Sequence, residues 1–245
     1  MRIDVLTLFP GMFEGPMTES MLKRAREAGL LDLAIHDLRD QAQDRHRTVD
    51  DRPFGGGAGM VIRPDITFAA VENLKLPTAA RVIMTCPQGK RFTHADAAAL
   101  AQESHLVFLC GHYEGFDERV RAHLVTDEYS IGDYVLTNGE LPAMVMIDAL
   151  VRLIPGVVGK EESTREDSFN TGLLDYPHYT KPVDFRDWLV PEILRSGHHG
   201  EIARWRREEA LRRTYLRRPD LLETAPLAKK DLAFLRQEFG WEPPL

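Results

Sequence analysis

The stretch S-I-G-D-Y-V-L-T-N-G-E-L-P-A, from Ser130 to Ala143, is the segment around which the rest of the chain is organised. Short apolar runs alternate in it with Gly132, Gly139 and Pro142. Glycine tolerates positive φ angles, and proline fixes φ and removes a hydrogen-bond donor. The stretch is therefore unsuited to one long strand or helix, and it is suited to wrapping backbone N–H and C=O groups around a ligand.

Two shorter loops upstream have a similar composition. They are Cys86-Pro87-Gln88-Gly89 and Cys110-Gly111-His112-Tyr113-Glu114-Gly115, and each follows an apolar run. Together the three loops indicate one pocket built from strand ends, which is where parallel α/β sheets bind ligands. Taken one at a time, each loop is better explained as an ordinary surface turn.

Hydrophobic periodicity predicts alternating strands and helices over the first part of the chain, which is typical of an α/β domain with a largely parallel sheet. The predicted strands are 2–9, 31–36, 81–86, 105–110 and, with a weaker signal, 125–135. The predicted helices are 17–28, 65–74, 93–102, 116–123 and 141–154. We expect Thr93 to cap the third helix, and Thr18 or Ser20 to cap the first.

Two long polar segments interrupt this pattern. Residues 39–52 and the following glycine-rich run 55–59 are too polar for a core and too long for an ordinary connector, which favours a functional or a disordered loop. Residues 160–179 are also polar, and from Val183 onward the pattern is helical with no strand signal. We therefore predict a domain at 1–159, a linker at 160–179 and an all-helical C-terminal domain at 180–245.

Charge is unevenly distributed along the chain. The formal net charge is −7, which argues against indiscriminate nucleic-acid binding. The window from Arg195 to Arg218, however, holds eight arginines against three glutamates, a net charge of +5, with Trp205 and Tyr215 interleaved. A solvated helix face is the ordinary explanation, whereas clustered arginine with aromatic residues favours an RNA-binding surface.

Several classes of site are disfavoured by missing motifs. The two cysteines form no C-x-x-C pair, so we expect buried, reduced thiols and neither a cysteine metal site nor a disulfide framework. The sequence contains no P-loop, no G-x-G-x-x-G fingerprint and no H-E-x-x-H motif. We see no secretory signal and no apolar run long enough for a membrane span, so we expect a cytosolic, cytoplasmic protein with no membrane partner.

Two charged residues remain ambiguous on spacing alone. Asp167 lies in the polar segment and is best explained there as a turn or capping residue. Arg152 is the one cation in the apolar run 149–154, where it could simply extend its charged end to solvent.

Several long motifs together resemble one family. They include the segments 44–57, 110–115, 130–136, 139–143, 166–169, 172–175 and 217–219. In composition and order, from Arg2 to about Leu222, they resemble the bacterial tRNA (guanine-N1)-methyltransferase family, TrmD. The resemblance implies an S-adenosylmethionine-dependent enzyme that methylates N1 of the guanosine immediately 3′ of the anticodon in tRNA.

The same resemblance implies a fold that periodicity cannot reveal. It implies the SPOUT fold, an α/β sheet with a deep trefoil knot, and knots are rare exceptions among folds. It also implies a homodimer with each active site at the subunit interface, and a helical C-terminal domain that binds tRNA.

Carried over motif by motif, the resemblance assigns individual residues. Asp167 matches the general base and Arg152 the catalytic arginine, and the family is associated with magnesium (Mg2+). His112 and Asn138 depart from the pattern, because some members have arginine and glycine there. The implied cofactor-binding residues are Pro87, Gln88, Gly89, Gly111, Tyr113, Glu114, Ile131, Gly132, Tyr134, Leu136, Gly139 and Pro142.

Three alternatives stay open at this point. The chain could be a catalytically silent RNA-binding member of the same fold, or a methyltransferase that acts on another RNA position. A nucleotide-using oxidoreductase is the third, and the missing G-x-G-x-x-G fingerprint weighs against it.

Overall fold

A parallel sheet forms the centre of the first of two compact units, Met1–Gly159 and Lys160–Leu245. The computed structural model describes residues 1–158 and 167–243. Strands in the first unit are β1 (Arg2–Thr7), β2 (Asp32–Asp37), β3 (Asp50–Asp51), β4 (Val61–Ile62), β5 (Arg81–Arg91), β6 (His105–Cys110) and β7 (Asp127–Ser130). Five of them make one sheet in the order β2-β1-β6-β5-β7, every neighbouring pair being parallel. The predicted α/β class with a mostly parallel sheet is confirmed.

Helices connect the parallel strands, as crossover connections require. They are α1 (Ser20–Glu27), α2 (Pro64–Asn73), α3 (His94–Leu100), α4 (Glu118–His123) and α5 (Glu140–Val151). Short 3-10 helices lie at Pro10–Phe13, Pro16–Thr18 and Leu38–Gln41. Strands β3 and β4 pair antiparallel as a separate two-stranded ribbon, and they flank the glycine-rich run 55–59.

Alternating side chains of the strands divide the core into two apolar layers. In β6, Leu106 and Phe108 pack on the face that also contacts α1, α3 and α5. Val107 and Leu109 point to the opposite face, which contacts α2 and α4. Because successive residues of a strand point to opposite faces, a strand buried on both sides must be apolar throughout. The free thiol of Cys110 is buried there, which raises its pKa well above the ordinary value, whereas Cys86 is only half-buried.

The second unit has its own small core. Its long helices are α6 (His199–Arg217) and α7 (Lys229–Phe239), with 3-10 helices at Glu192–Arg195 and Pro219–Glu223. Leu173 belongs to the part of the predicted linker that the structure describes, and it is buried in this core with Leu211 and Leu235. Residues 160–166 of that linker lie outside the described residues.

The expectation that the C-terminal part is all-helical is wrong. Strands β8 (Asp184–Phe185) and β9 (Trp188–Leu189) form an antiparallel hairpin. Arg186 and Asp187 make its turn, with φ values of 58° and 64°. Two-residue strands with exposed side chains show no alternation, so periodicity carried no signal for them.

Other element boundaries differ by a few residues. Thr93 caps α3 in a reciprocal capping box with Asp96, as predicted. The expected cap of the first helix is wrong, because Glu19 precedes α1 without a side-chain cap. Within the described ranges, no helix is both long enough and apolar enough to cross a membrane.

Candidate active site

A pocket of about 260 Å³ opens at the carboxyl ends of β6 and β7 and beside the middle of β5. The prediction of a strand-end loop at 86–89 is wrong, because this segment lies inside β5, where the register with β7 shifts between Thr85 and Lys90. Since β6-β5 and β5-β7 are adjacent pairs, this irregular part of β5 and the loops after β6 and β7 meet at one edge of the sheet. All three loops singled out by composition line this pocket, together with the first turn of α5.

The structure brings together most of the residues assigned to cofactor binding. Those lining the pocket are Pro87, Gln88, Gly111, Tyr113, Glu114, Ile131, Gly132, Tyr134, Leu136, Gly139 and Pro142. Gly89 is not among the lining residues. A Cβ atom there would lie 2.6 Å from the backbone carbonyl carbon of Glu128 and 2.6 Å from the nitrogen of Tyr129. Glycine at this position therefore lets β5 run close to β7 behind the pocket.

Gly139 holds the third loop against the middle of β5 and the end of β6. Its N–H donates to the carbonyl of Gly111 at 2.8 Å, and its own carbonyl accepts from the hydroxyl of Thr85 at 3.1 Å. A Cβ atom on Gly139 would lie 2.2 Å from Thr85 Oγ1 and 2.8 Å from Gly111 N. Only glycine allows this approach without displacement of the strand ends.

The two positions that depart from the family pattern are neighbours. His112 and Asn138 form an isolated antiparallel bridge between the second and third loops. The His112 ring makes edge contacts with Phe9, at 4.9 Å between centroids, and with Tyr113, at 4.2 Å. His112 therefore packs within the pocket wall, and its main chain helps to join the two loops.

Glu140 begins α5 directly beneath this junction. It is fully buried, and its Oε1 atom accepts a 2.5 Å hydrogen bond from the hydroxyl of Thr7 on β1. Burial raises the pKa of Glu140, while the Thr7 hydrogen bond acts in the opposite direction. The start of α5 is thus tied to the carboxyl end of β1.

Arg121 on α4 is a pocket residue that sequence reasoning missed. Its guanidinium donates to Gln88 Oε1 at 2.9 Å and lies 3.2 Å from Glu128 Oε2 and 3.5 Å from Cys86 Sγ. These contacts hold the first loop against α4 and β7. An arginine inside a short amphipathic helix gives no sign of this role in the sequence alone.

The glycine-rich run packs against the second loop of the pocket. The Glu114 side chain packs on Gly59, since a Cβ there would lie 2.3 Å from Glu114 Oε1. The N–H of Glu114 donates to the carbonyl of Met60 at 3.0 Å. The run therefore supports the second loop. The motif search, which found no phosphate-binding motif in this run, did not predict that role.

The two residues assigned to catalysis lie in different units. Arg152 is the exposed C-terminal cap of α5 in the first unit. Asp167 is half-buried in the second unit, and its main-chain carbonyl accepts from the N–H of Asn170 at 3.2 Å. Asp167 thus begins a turn, as its spacing suggested. Within residues 1–158 and 167–243, no group of three or more His, Cys, Asp or Glu side chains is arranged to hold a metal ion.

The arginine-rich window of the second unit divides into two classes. Arg207 binds the buried carboxylate of Asp231 at 2.8 Å, and Arg212 lies over the rings of Phe234 and Phe239. Tyr215 stacks on Phe239 with centroids 4.3 Å apart. Those side chains hold α6 and α7 together. Within the described part of the chain, Arg195, Arg213 and Arg217 form no ion pair.

Comparisons with known proteins agree on one family. The family model described as tRNA (Guanine-1)-methyltransferase TrmD matches residues 1–224. A tRNA (guanine-N(1)-)-methyltransferase of Geobacillus kaustophilus is 57% identical over 243 residues, covering 99% of this chain and 98% of the relative. The protein of the same name from Bacillus subtilis is 55% identical over 244 residues, covering 99% of each. That of Brevibacillus brevis is 58% identical over 241 residues, covering 97% of this chain and 99% of the relative.

Proposed function

The chain belongs to the TrmD family of tRNA (guanine-N1)-methyltransferases, and from this premise we propose how its residues carry out the reaction. It is a methyltransferase that acts on N1 of guanine in tRNA, with S-adenosylmethionine as the methyl donor. The finer target is the guanosine immediately 3′ of the anticodon. The observation that carries the proposal is the convergence of three glycine-bearing loops on one pocket at the strand ends.

The pocket suits a cofactor held largely by main-chain groups. Ile131, Leu136 and Pro142 supply apolar walls for an adenine ring, and the close approach at Gly139 keeps the loops together. The bound donor supplies a methyl group already activated on a sulfonium, so the protein's task is alignment for an in-line displacement. Arg121 and Thr85 position the loops that do this.

Asp167 and Arg152 complete the chemistry in this proposal. Guanine N1 carries a proton at neutral pH and is a poor nucleophile until that proton is removed. The Asp167 carboxylate accepts the N1 proton as general base. The Arg152 guanidinium stabilises the negative charge that develops on guanine O6. The target base must also leave the stacked loop, at a cost of a few kcal/mol.

We also propose the assembly that the family resemblance implies. Val135, Leu141 and Val145 are exposed apolar side chains beside the pocket, which favours burial against a second copy of the chain. In this homodimer the active site lies at the subunit interface, with Asp167 supplied by the partner. The deep trefoil knot rests on the family resemblance, and we place it at the loop after β7, which the N–H of Gly139 ties to the carbonyl of Gly111. The unpaired arginines of the second unit support its role in binding tRNA.

The test of the general base separates cofactor binding from turnover. We expect Asp167→Asn to lower the single-turnover methylation rate about 100-fold or more, because general-base catalysis contributes at least that much. Its calorimetric affinity for S-adenosylmethionine should equal that of the wild type. Asp187→Asn, in the exposed hairpin turn, is the matched control and should methylate normally. A wild-type single-turnover rate in Asp167→Asn would refute the assignment.

The target nucleotide is tested on transcribed tRNA. Mapping the methylated position should identify the guanosine 3′ of the anticodon, and replacing that guanosine by adenosine should abolish transfer. Methylation that persists elsewhere on the replaced transcript would favour another RNA position. Assistance by magnesium remains a prediction from the resemblance, and initial rates in EDTA and in added magnesium test it.

A further inference from the structure

The segment 86–89 inside β5 lies beside the pocket without a partner on the neighbouring strand. Thr85 and Lys90 both pair with Tyr129 of β7, so the four residues 86–89 between them have no place in the register. Pro87 also lacks a backbone donor. A segment that has left its ladder keeps one conformation only if other groups hold it.

Arg121 of α4 holds this segment with its side chain. Its guanidinium donates to Gln88 Oε1 at 2.9 Å and lies 3.5 Å from Cys86 Sγ, which also accepts from the N–H of Gln88 at 3.4 Å. On its other side the guanidinium lies 3.2 Å from Glu128 Oε2 on β7 and 3.4 Å from Glu118 Oε2 on its own helix. One side chain therefore connects the irregular part of β5 to α4 and to β7.

The two carboxylates fix the guanidinium and offset its charge. The side chains of Arg121 and Glu128 are 28% and 25% exposed, so their ion pair is screened less by salt than a pair at the open surface. With Glu118 and Glu128 beside it, the guanidinium does not present an uncompensated positive charge to a sulfonium in the pocket. Arg121 is thus placed to orient a neighbouring side chain and not to bind an anion.

The side chain that Arg121 orients is the amide of Gln88. A guanidinium carries donors only, so the amide atom that faces it must be the oxygen. The Nε2 atom then points away from Arg121 with both of its N–H groups, and no residue in the described part of the chain accepts from them. Gln88 and Arg121 both line the pocket, so the arginine makes Gln88 a hydrogen-bond donor there.

We propose that Arg121 is a positioning residue for methyl-donor binding, which acts by turning the Gln88 amide so that its N–H groups donate to an acceptor oxygen of S-adenosylmethionine. Such oxygens are present on the ribose and on the carboxylate of that molecule. The inference rests on the proposed function, because it takes the pocket as the cofactor site. The family resemblance assigned Gln88 to the cofactor, and Arg121 adds the orientation that gives this side chain its donor role.

The first test is a double-mutant cycle measured by calorimetry of S-adenosylmethionine binding to the full-length protein. Arg121→Met and Gln88→Ala should each weaken affinity about tenfold, the order that one hydrogen bond contributes. The double variant should bind no more weakly than the weaker single variant, because both changes remove the same contact. Arg119→Met is the matched control, since Arg119 lies on the same helix and pairs with Asp117 outside the pocket.

Gln88→Glu tests the donor role without loosening the segment. A glutamate still accepts from Arg121 but has no N–H group, so affinity should fall at least as far as in Gln88→Ala while the melting temperature does not fall. In steady-state kinetics Arg121→Met should raise KM for the donor about tenfold and leave kcat unchanged, because the contact is equal in the ground and transition states. A lowered kcat with an unchanged KM would indicate general damage to the fold and would contradict the proposal.

A truncated ligand identifies the acceptor oxygen. 5′-Methylthioadenosine keeps the ribose and lacks the carboxylate. A tenfold loss in Gln88→Ala that persists with this ligand assigns the ribose, and a loss that disappears assigns the carboxylate.

Three results would overturn the proposal: additive losses in the double variant, wild-type affinity in Arg121→Met, or wild-type affinity in Gln88→Glu. They are separable from a failure of the proposed function. That function fails if the wild-type protein neither binds S-adenosylmethionine nor methylates tRNA. The role of Arg121 fails if the wild type does both and Arg121→Met binds the donor equally well.

Discussion

Gly139 lies where the middle of β5, the end of β6 and the start of α5 come close together. Any side chain there would meet Thr85 Oγ1 at 2.2 Å and the backbone nitrogen of Gly111 at 2.8 Å. We expect Gly139→Ala to abolish S-adenosylmethionine binding and to lower the free energy of unfolding by about 1–3 kcal/mol, the usual range for overpacking. Calorimetry and urea unfolding measure the two effects.

Gly11→Ala is the matched control for this prediction. A Cβ at Gly11 meets no heavy atom within 4 Å, and the position has no positive φ. Stability and cofactor affinity should both stay at wild-type values there. Normal cofactor affinity in Gly139→Ala would contradict the close approach that the third loop makes to the strand ends.

Asp4 is a buried charge in the first half of β1. Arg2, His36 and His105 all hydrogen-bond its carboxylate, at 2.8, 2.7 and 2.7 Å. Burial acts to raise the pKa of Asp4, but these hydrogen bonds outweigh it and lower the pKa from 3.8 to about 2. A carboxyl group whose pKa is lower in the folded than in the unfolded chain stabilises the fold at pH values above its unfolded pKa. This stabilisation is lost as pH falls from about 4 through about 2.

Urea unfolding between pH 6 and pH 2 checks this linkage. Wild type should lose about 2 kcal/mol more than Asp4→Asn over that interval, because only the wild type must protonate this carboxylate. Asp32→Asn is the control, since Asp32 also contacts Arg2 but is largely exposed. Parallel pH profiles for wild type and Asp4→Asn would show that the cluster does not contribute in this way.

The role of a pocket residue could be predicted from the sequence only where the backbone geometry requires one residue type. The loop glycines were visible because a tight approach excludes side chains, and Gly139 is such a case. The roles of Arg121 and Thr85 could not be predicted, because they depend on which strands are neighbours in the sheet. Local sequence carries no information on that neighbourhood.

Helix α6 combines arginines that hold the unit together with arginines that carry no counter-charge. Arg207 pairs with Asp231, which is buried, whereas Arg217 is exposed and forms no ion pair in the described part of the chain. Arg217→Ala should weaken tRNA binding and reduce the salt slope by about one, as expected for one lost phosphate contact. Its thermal stability should be unchanged.

Arg207→Ala gives the opposite pattern and serves as the comparison. It should lower the free energy of unfolding by about 2 kcal/mol, because a buried carboxylate loses its charged partner. Differential scanning calorimetry of both variants distinguishes the two classes. An unchanged salt slope in Arg217→Ala would remove this residue from the RNA surface.

Element prediction succeeded where packing imposes a period and failed where it does not. Strand β6 is buried on both faces, so its continuous apolar run marked it with correct ends. The weaker segment 125–135 contains only the short β7, and its remainder forms the pocket loop. The β8–β9 hairpin has exposed side chains and a turn without glycine, so neither hydrophobic periodicity nor the turn residues predicted it.

For the molecule as a whole, the alternation of strands and helices was enough to predict the fold class, but it could not predict the order of the strands in the sheet. The sheet order β2-β1-β6-β5-β7 depends on long-range pairing. Periodicity is silent on such pairing, and also on threading of the chain. Family motifs supplied the expectation of a knot and of a dimer, and both remain predictions. The dimer can be tested through the chemistry it implies.

Complementation between two inactive variants decides whether the active site is shared between subunits. Asp167→Asn keeps the cofactor pocket and lacks the proposed base. Gly132→Val keeps Asp167. A Cβ atom at position 132 would lie 2.4 Å from the Tyr134 ring, so we expect the valine side chain to displace that ring and block the pocket. If the base acts across the interface, a mixed dimer contains one intact site, formed by the pocket of one subunit and Asp167 of its partner.

Co-expression with two affinity tags and tandem purification yields the mixed dimer alone. We expect it to methylate tRNA at about half the wild-type rate, because one of the two symmetric sites is complete. Each variant prepared by itself should be inactive under the same conditions, and sedimentation should show dimers in all three samples. If the base instead acts within its own subunit, neither site is complete and the mixed dimer stays inactive. Activity of the mixed dimer would therefore show that Asp167 of one copy acts at the strand-end pocket of the other.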